Sequence, residues 1–485
     1  MRVIETLVTG SLVAGCARAQ TVQLHIAKRD ARHDNPKLPV GRREAATHVG
    51  IITNEKAVGG YFTTVSIGSP AQEVTLLLDT GSSDLWVPSA SACAKDNGCT
   101  FGSFDPSKSI SFDKAGRRPF DIQYLDGAHT KGDYFADDLD IGGAKILNLT
   151  MALGQETDRS FGILGVGYAL NEAAVAESSR SSSAYPNLPA QMFKEGLITT
   201  NAYSLWLNKQ DAKGGQILFG GVDIAKYEGQ MLMMDVQPDA SRKALTSFIV
   251  PMTSLTATSP SGSDTLLTGE FPLPVVLDSG STFTSLPTEL AKLAWTEAGA
   301  VFDTTYAFIP CSMSNSKGSF EFGFAGPNGP KIKVPMSEMV HKIQDRGDYT
   351  FQAGRYKGQP MCWFGIQNSS SSDLFVLGDS FLRSAYVVYD LENNQIGMAN
   401  TAANASETDS SIVAFPSKGA FIPGATLIKD QVTSTRIPSA FTSPAYVAKD
   451  GFRSAARPVS VRGWAQLGAI GAYTIFMLAG SALIL

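Results

Sequence analysis

The sequence predicts a mostly β protein built as two related lobes, and two observations carry that prediction. First, from about Val49 to Ala399 short β-branched and aromatic runs alternate with Gly, Asn and Asp turns; YFTTVSI, EVTLLL, QILFGG, SFIVPM, LFVLG and AYVVYDL all read as strands. Helical stretches are few, and Pro189 to Glu195 and Pro287 to Gly299 are the best candidates. Second, one pattern occurs twice at long period. Each copy has an apolar strand, an Asp-[Thr/Ser]-Gly-Ser turn and a later strand with two apolar residues before a glycine. The turns lie in LLLDTGSSDLWVP, Leu76 to Pro88, and in VVLDSGSTFTSLP, Val275 to Pro287; the later strands are FGILGVGY and LFVLGDSF. Two copies so far apart imply paired lobes rather than a solenoid. The expected divisions are an N-terminal lobe over 44–228 and a C-terminal lobe over 229–400.

The ends of the chain read differently. Val3 to Gly15 is mostly apolar and is followed by the small-x-small site Ala17-Arg18-Ala19, so residues 1–19 have the outline of a secretory signal peptide; the bland alternative is a short first strand or helix. The dibasic pairs Lys28-Arg29 and Arg42-Arg43 mark 20–43 as a propeptide trimmed by a dibasic-cutting processing protease. After Asn400 the strand pattern fades, and 401–454 reads as a Ser/Thr-containing stalk. The small residues around Ser454, a polar spacer and the uncharged run 465–485 together resemble a GPI-anchor signal over 455–485, with Ser454 as the attachment residue. A membrane-spanning helix is the alternative for that tail. Either way the protein is expected at the cell surface, tethered to plasma membrane or wall.

Composition narrows the rest. With 485 residues, 18% charged and 43% apolar, the chain is globular and long enough for two cores, and a net charge of −5 gives no basic surface for nucleic acid. Two stretches, Asn171 to Pro189 and the Ser/Thr/Gly-rich Thr256 to Gly269, read as mobile surface insertions. Cys16 lies in the signal peptide, which leaves Cys93, Cys99, Cys311 and Cys362. An even set in a secreted protein suggests disulfides, and sequence alone permits three pairings; pairing Cys93 with Cys99 closes a short loop and leaves Cys311 with Cys362. No Cys-x-x-Cys or His cluster argues for a metal, and no cofactor is expected. Asn148, Asn368 and Asn404 each begin an N-glycosylation acceptor triplet.

The two turns carry the chemistry. Asp79 and Asp278 each end an apolar strand, and Gly81 and Gly280 permit the sharp turn that projects the carboxylate. The hydroxyl of Thr80 or Ser279 can bond across to the opposing loop, while Ser82 and Ser281 can bond the outer carboxylate oxygens. Face to face, the two carboxyls cannot both ionise, so the pair shares one proton. Such a pair activates a water as general base and protonates a leaving amine as general acid, with no metal and no covalent intermediate. A lone DTGS is usually only a turn. Two copies in matching contexts are not.

DTGSSDLWVP, LDSGSTFTSLP, the crossover FGGVDIAKYEGQM and LGDSFLRSAYVVYDLENNQIGMA together resemble the pepsin-like aspartic protease family over about Val49 to Ala399. With its flanking segments the chain is most similar to fungal anchored yapsin-like and candidapepsin-like enzymes. The resemblance implies a bilobal fold with a catalytic cleft, Asp79 and Asp278 as the catalytic pair, and disulfides Cys93–Cys99 and Cys311–Cys362. It implies a substrate-covering flap that includes Tyr124 and Gly127, with Trp86 bonding the tyrosine. Leu125 departs from the pattern, which commonly has glycine there. Asp126 beside it is expected either to favour basic substrate side chains by Coulomb attraction or to be a solvated turn residue. The resulting expectation is a monomeric surface endopeptidase acting on protein and peptide substrates. The rivals are a catalytically inactive relative that only binds peptides, and a wall-structural glycoprotein for which the paired turns would have no purpose.

Overall fold

The computed structural model describes residues 22–26, 51–54, 59–93, 98–114, 118–267, 271–343, 349–369, 374–433 and 444–453. The signal peptide, most of the propeptide, Ser454 and the apolar tail lie outside the described residues. Strands dominate. The largest sheet has 15 strands and runs from the edge strand Ala425–Leu427 through Ala385–Asp390 and Ala202–Trp206 to the hairpin Pro119–Gln123 and His129–Ile141; a sheet of eight strands forms most of the C-terminal half.

The repeat seen in the sequence is a repeat in space. Gln72–Asp79 pairs parallel with Gly162–Gly165, placing Leu78 beside Leu164 and Asp79 beside Gly165, and Leu85–Pro88 returns antiparallel to that same strand. In the other half Leu273–Leu277 pairs parallel with Val376–Leu377, and Thr284–Leu286 returns antiparallel to it. Leu76, Leu77 and Leu78 are fully buried, as are Val275 and Leu277. Burial on both faces is what a continuous apolar run next to parallel neighbours should show. The glycine ending each later strand has a packing reason. A Cβ on Gly165 would lie 2.7 Å from the Asp84 amide nitrogen, and one on Gly378 would lie 2.3 Å from the Ser281 carbonyl oxygen. Only glycine lets those strands pass beneath the two turns.

The hairpin Pro119–Gln123/His129–Ile141 behaves differently. In Pro119–Gln123 Phe120 and Ile122 are buried while Pro119, Asp121 and Gln123 are exposed, so one face meets the core and one meets solvent. The expected helices are present as Leu188–Lys194 and Thr288–Ala298. Both disulfides implied by the resemblance form, Cys93–Cys99 with Cα atoms 5.0 Å apart and Cys311–Cys362 with 4.9 Å.

Three expectations need correcting. The segment after Asn400 is no free stalk. Ile412–Ala414 pairs with Gly221–Asp223, and Ala425–Leu427 adds a parallel edge strand to Tyr227–Asp235. Phe415, Ile422 and Phe452 are buried, and the Lys226 ammonium, over the Trp206 ring at 4.3 Å, donates to the Ser406 carbonyl at 2.6 Å and to that of Asp409. The strands involved are three residues long, too short to show a period-2 pattern, and the segment is held by its edge pairing and a few large apolar anchors. The insertion at 171–189 is also anchored. It forms the helix Ala173–Ser178, and Glu172, Ala173 and Tyr185 are buried. Finally, the Ser/Thr/Gly-rich stretch after Leu255 is a regular hairpin, Ile249–Ser259 with Gly262–Leu266, paired from Leu255↔Leu266 to Ser259↔Gly262.

One element was not legible at all. Val22–Ile26, inside the expected propeptide, occupies the large sheet between Gln216–Phe219, antiparallel, and Ile51–Asn54, parallel.

Candidate active site

Both aspartates stand at strand ends where backbone amides become free to point at a side chain. The Gly81 amide donates to Asp79 Oδ1 at 2.8 Å, and the Gly280 amide donates to Asp278 Oδ1, also at 2.8 Å. The Ser82 hydroxyl donates to Asp79 Oδ2, and the Ser281 hydroxyl to Asp278 Oδ2 at 2.8 Å. Each carboxyl is thus oriented by one glycine amide and one serine three residues on.

The turns are locked to each other by a reciprocal set of bonds. The Thr80 hydroxyl donates to the Leu277 carbonyl at 2.9 Å and accepts from the Ser279 amide at 2.9 Å. The Ser279 hydroxyl donates to the Leu78 carbonyl at 3.0 Å and accepts from the Thr80 amide at 3.2 Å. These four bonds span the two halves of the chain and bring the carboxyls into hydrogen-bond contact. A Cβ on Gly81 would come within 2.6 Å of the Asp278 carboxyl, so a side chain there would push the halves apart.

Burial raises the pKa of both carboxyls. For Asp79 the nearby Asp278 charge adds to burial and holds it well above the usual carboxylate range. For Asp278 burial is opposed by hydrogen bonds from Ser281, from Asp79 and from the Gly280 and Gly81 amides. The pair therefore keeps one proton, with Asp79 its better holder and Asp278 the better anion. Such an arrangement can take a proton from a water and deliver another to an adjacent oxygen or nitrogen.

Tyr124 caps the hairpin next to this pair. Its side chain is buried, and the Trp86 indole N–H donates to its hydroxyl at 2.6 Å. Tyr124 and Ala128 close the tip by a backbone bond of 2.9 Å, and Gly127, exposed, donates to the Tyr124 carbonyl at 2.9 Å. Asp126 is not the free carboxylate that would draw basic side chains. Its Oδ2 accepts from Arg159 Nη2 at 2.7 Å and its Oδ1 from the Ala128 amide at 2.9 Å. The opposing charge already sits beside it.

Sequence reasoning missed two groups around the turns. Arg159 is one; only its position just before the FGILG strand could have drawn notice. The other is a set of acids beneath the Asp79 turn. Asp84 accepts from the Tyr134 and Tyr185 hydroxyls, both at 2.7 Å, and from the Ala173 amide at 2.8 Å. Glu172 beside it accepts from the Tyr185 amide at 2.8 Å, and burial pushes its carboxyl up to about 10. The remaining expected sites are scattered. Asn148, at a left-handed turn, and Asn404 are exposed, while Asn368 is half-buried at the end of the strand Ile366–Asn368.

Comparison with known proteins agrees with this geometry. Residues 60–401 match the eukaryotic aspartyl protease family. The chain is 37% identical over 433 residues to "Probable aspartic-type endopeptidase OPSB" of Arthroderma benhamiae, covering 86% of this chain and 85% of that one. It is 34% identical over 360 residues to "Secreted aspartic protease 8" of Candida albicans, covering 73% and 78%. Among solved structures, the aspartic proteinase of Irpex lacteus superposes with a TM-score of 0.55 at 20% identity, covering 73% of this chain and 98% of that one. Two interlocked Asp-[Thr/Ser]-Gly-Ser turns on a mostly β frame, in a sequence with these relatives, place the chain in the eukaryotic aspartyl protease family, as an aspartic-type endopeptidase.

Proposed function

We propose that Asp79 and Asp278 are the catalytic pair, and the observation that carries this is the reciprocal lock that holds two buried carboxyls against each other. The anionic Asp278 takes a proton from a water, whose oxygen adds to the peptide carbonyl carbon. Asp79 gives its proton to the carbonyl oxygen. The gem-diol collapses by breaking the C–N bond: Asp278 passes the proton it gained to the amine, and a hydroxyl of the gem-diol returns a proton to Asp79 as the product carboxyl forms, so the pair ends with one proton again. Thr80, Gly81, Ser82, Ser279, Gly280 and Ser281 hold the two carboxyls for this exchange, and the hairpin tip with Tyr124, Asp126 and Gly127, backed by Trp86, covers the substrate. Because both turns are intact, the reading of a catalytically inactive binder has no feature of the site in its favour.

The setting is part of the same proposal. A leader at 1–19, a propeptide at 20–43 cut at dibasic pairs, N-glycans at Asn148, Asn368 and Asn404, and a GPI anchor attached at Ser454 would make this a monomeric endopeptidase of the secretory route, held at the plasma membrane or wall. Support comes from the residue patterns at both ends and from a relative named as secreted. Asp126 does not by itself confer a preference for basic residues, because the Arg159 guanidinium offsets that carboxylate.

The test is direct. The ectodomain, trimmed after Arg43 and ended at Arg453, is incubated with a diverse peptide mixture at about pH 4, where a shared-proton pair is competent, beside an Asp79→Asn twin. Cut sites are identified by mass spectrometry. Cleavage by the wild type and none by the twin is the expected result; cleavage that persists in the twin overturns the assignment.

A further inference from the structure

Arg159 fastens the hairpin tip through Asp126 and Tyr124. Arg159 sits on the connection between the strands Ala144–Thr157 and Gly162–Gly165, and its side chain is 5% exposed. Its Nη2 donates to Asp126 Oδ2 at 2.7 Å, where the Asp126 side chain is 10% exposed. Its guanidinium carbon lies 4.8 Å from the centre of the Tyr124 ring and 5.7 Å from that of Phe161. Its own amide donates to Thr157 Oγ1 at 3.1 Å, which fixes the start of the connection. Its Nε–H is buried and has no hydrogen-bond partner among the described residues.

We propose that Arg159 is the positioning and charge-setting residue of the flap. It grips the hairpin at two points, the Asp126 carboxylate and the Tyr124 face, while Trp86 holds the Tyr124 hydroxyl. A planar guanidinium can do both at once, since it forms directed N–H bonds in its plane and stacks on an aromatic face. A lysine could not hold the same geometry. The grip has two consequences. Lifting the tip requires separating a nearly buried ion pair, which leaves the Arg159 guanidinium without its counter-charge, so the tip rests in one position. The Asp126 charge is also cancelled where it would face a substrate, so the flap discriminates little between basic and neutral side chains. The unused Nε–H is the cost of this pose.

The specificity consequence rests on the protease reading; the mechanical one does not. Arg159→Met, Asp126→Asn and the double variant are made in two backgrounds. In the inactive Asp79→Asn background, hydrogen–deuterium exchange at the amides of residues 124–128 is expected to quicken by roughly tenfold when either partner is changed. In the active background, either single change is expected to raise KM on a neutral peptide by about tenfold while kcat moves far less, as loss of positioning energy shared by ground and transition states should. Arg159→Met alone, with Asp126 left unpaired, is expected to gain about tenfold in kcat/KM for peptides with Lys or Arg beside the scissile bond over matched Leu peptides. The double variant should lose that gain, an outcome that a merely structural role for Arg159 would not produce. Unchanged exchange and unchanged KM in folded single variants would overturn the proposal. Asp126→Asn keeps the side-chain shape, so it decides the matter should Arg159→Met not fold. If the wild type cuts no peptide at all, the protease reading fails, and the exchange arm still decides whether the latch exists.

Discussion

The Asp79 turn and the Asp278 turn have the same backbone bonds and the same lock, yet they rest on different supports. Beneath the first lie Asp84 and Glu172, both acids, held by tyrosine hydroxyls and backbone amides; among the described residues no cation hydrogen-bonds to either. Arg118 offers Glu172 only a distant opposing charge. Beneath the second lies Arg383, buried, whose Nε donates to Glu338 Oε2 at 2.6 Å and whose charge acts against the burial that raises Asp379. The first support holds Glu172 far above the ordinary carboxylate range with no paired cation among the described residues, whereas the second sets the Arg383 charge against Glu338. Glu172 thereby ties the footing of the N-terminal half to acidity.

The largest effect that could break this comparison is on catalysis, where the two turns should be equivalent. Asp79→Asn and Asp278→Asn are each expected to lower kcat by a thousandfold or more, roughly the upper range for general acid–base groups, in a peptide-cleavage assay. A large difference between them would mean that the pair does not act as a unit. Next comes the clasp that only the C-terminal part of the chain supplies. Phe415→Ala should cost about 3–5 kcal/mol in denaturant unfolding, since its ring is fully buried against the sheet. Smaller and symmetric effects are expected at the lock. Thr80→Val and Ser279→Ala each strand a buried amide and a buried carbonyl, so each should cost about 1–3 kcal/mol, and a marked inequality would show that one half carries the lock.

The smallest effect at acidic pH, and the one that sharpens the comparison most, concerns Glu172. Its folded carboxyl is held at about 10 against an ordinary 4.5, and Asp84 is raised as well. A group raised in the fold binds more protons folded than unfolded. Its contribution is complete below about 4.5 and is lost as pH climbs toward 10. Thermal unfolding followed from pH 4 to pH 8 should therefore show stability falling with pH, and Glu172→Gln should flatten the fall. A slope unchanged in that variant would place the acid sensitivity elsewhere.

Much of this was legible in the sequence because it is local. A strand ending in Asp-[Thr/Ser]-Gly-Ser specifies its own turn within four residues, and its second copy reveals the partner. The apolar-apolar-Gly strands were visible too, although the reason for Gly165 and Gly378 emerges only when the turn backbones are seen to lie against them. What escaped depends on contacts that no local pattern encodes. Asp126 and Arg159 are 33 residues apart, and nothing near either names the other. Glu172 sits in a Ser/Ala-rich stretch that looks like a loop, and its burial follows from Tyr185 folding back over it. The clasp after Asn400 has loop composition, and its short strands exist because an exposed sheet edge was available to pair with.

The central claim is that two interlocked turns present a pair of carboxyls that works with one proton. The most direct measurement is the pH profile of kcat/KM on a peptide that carries no titrating groups near the cut. A bell is predicted, with both limbs belonging to the pair and the basic limb above the ordinary carboxyl range, because burial and mutual charge raise Asp79. Activity that rises through neutral pH to an alkaline plateau would contradict the account.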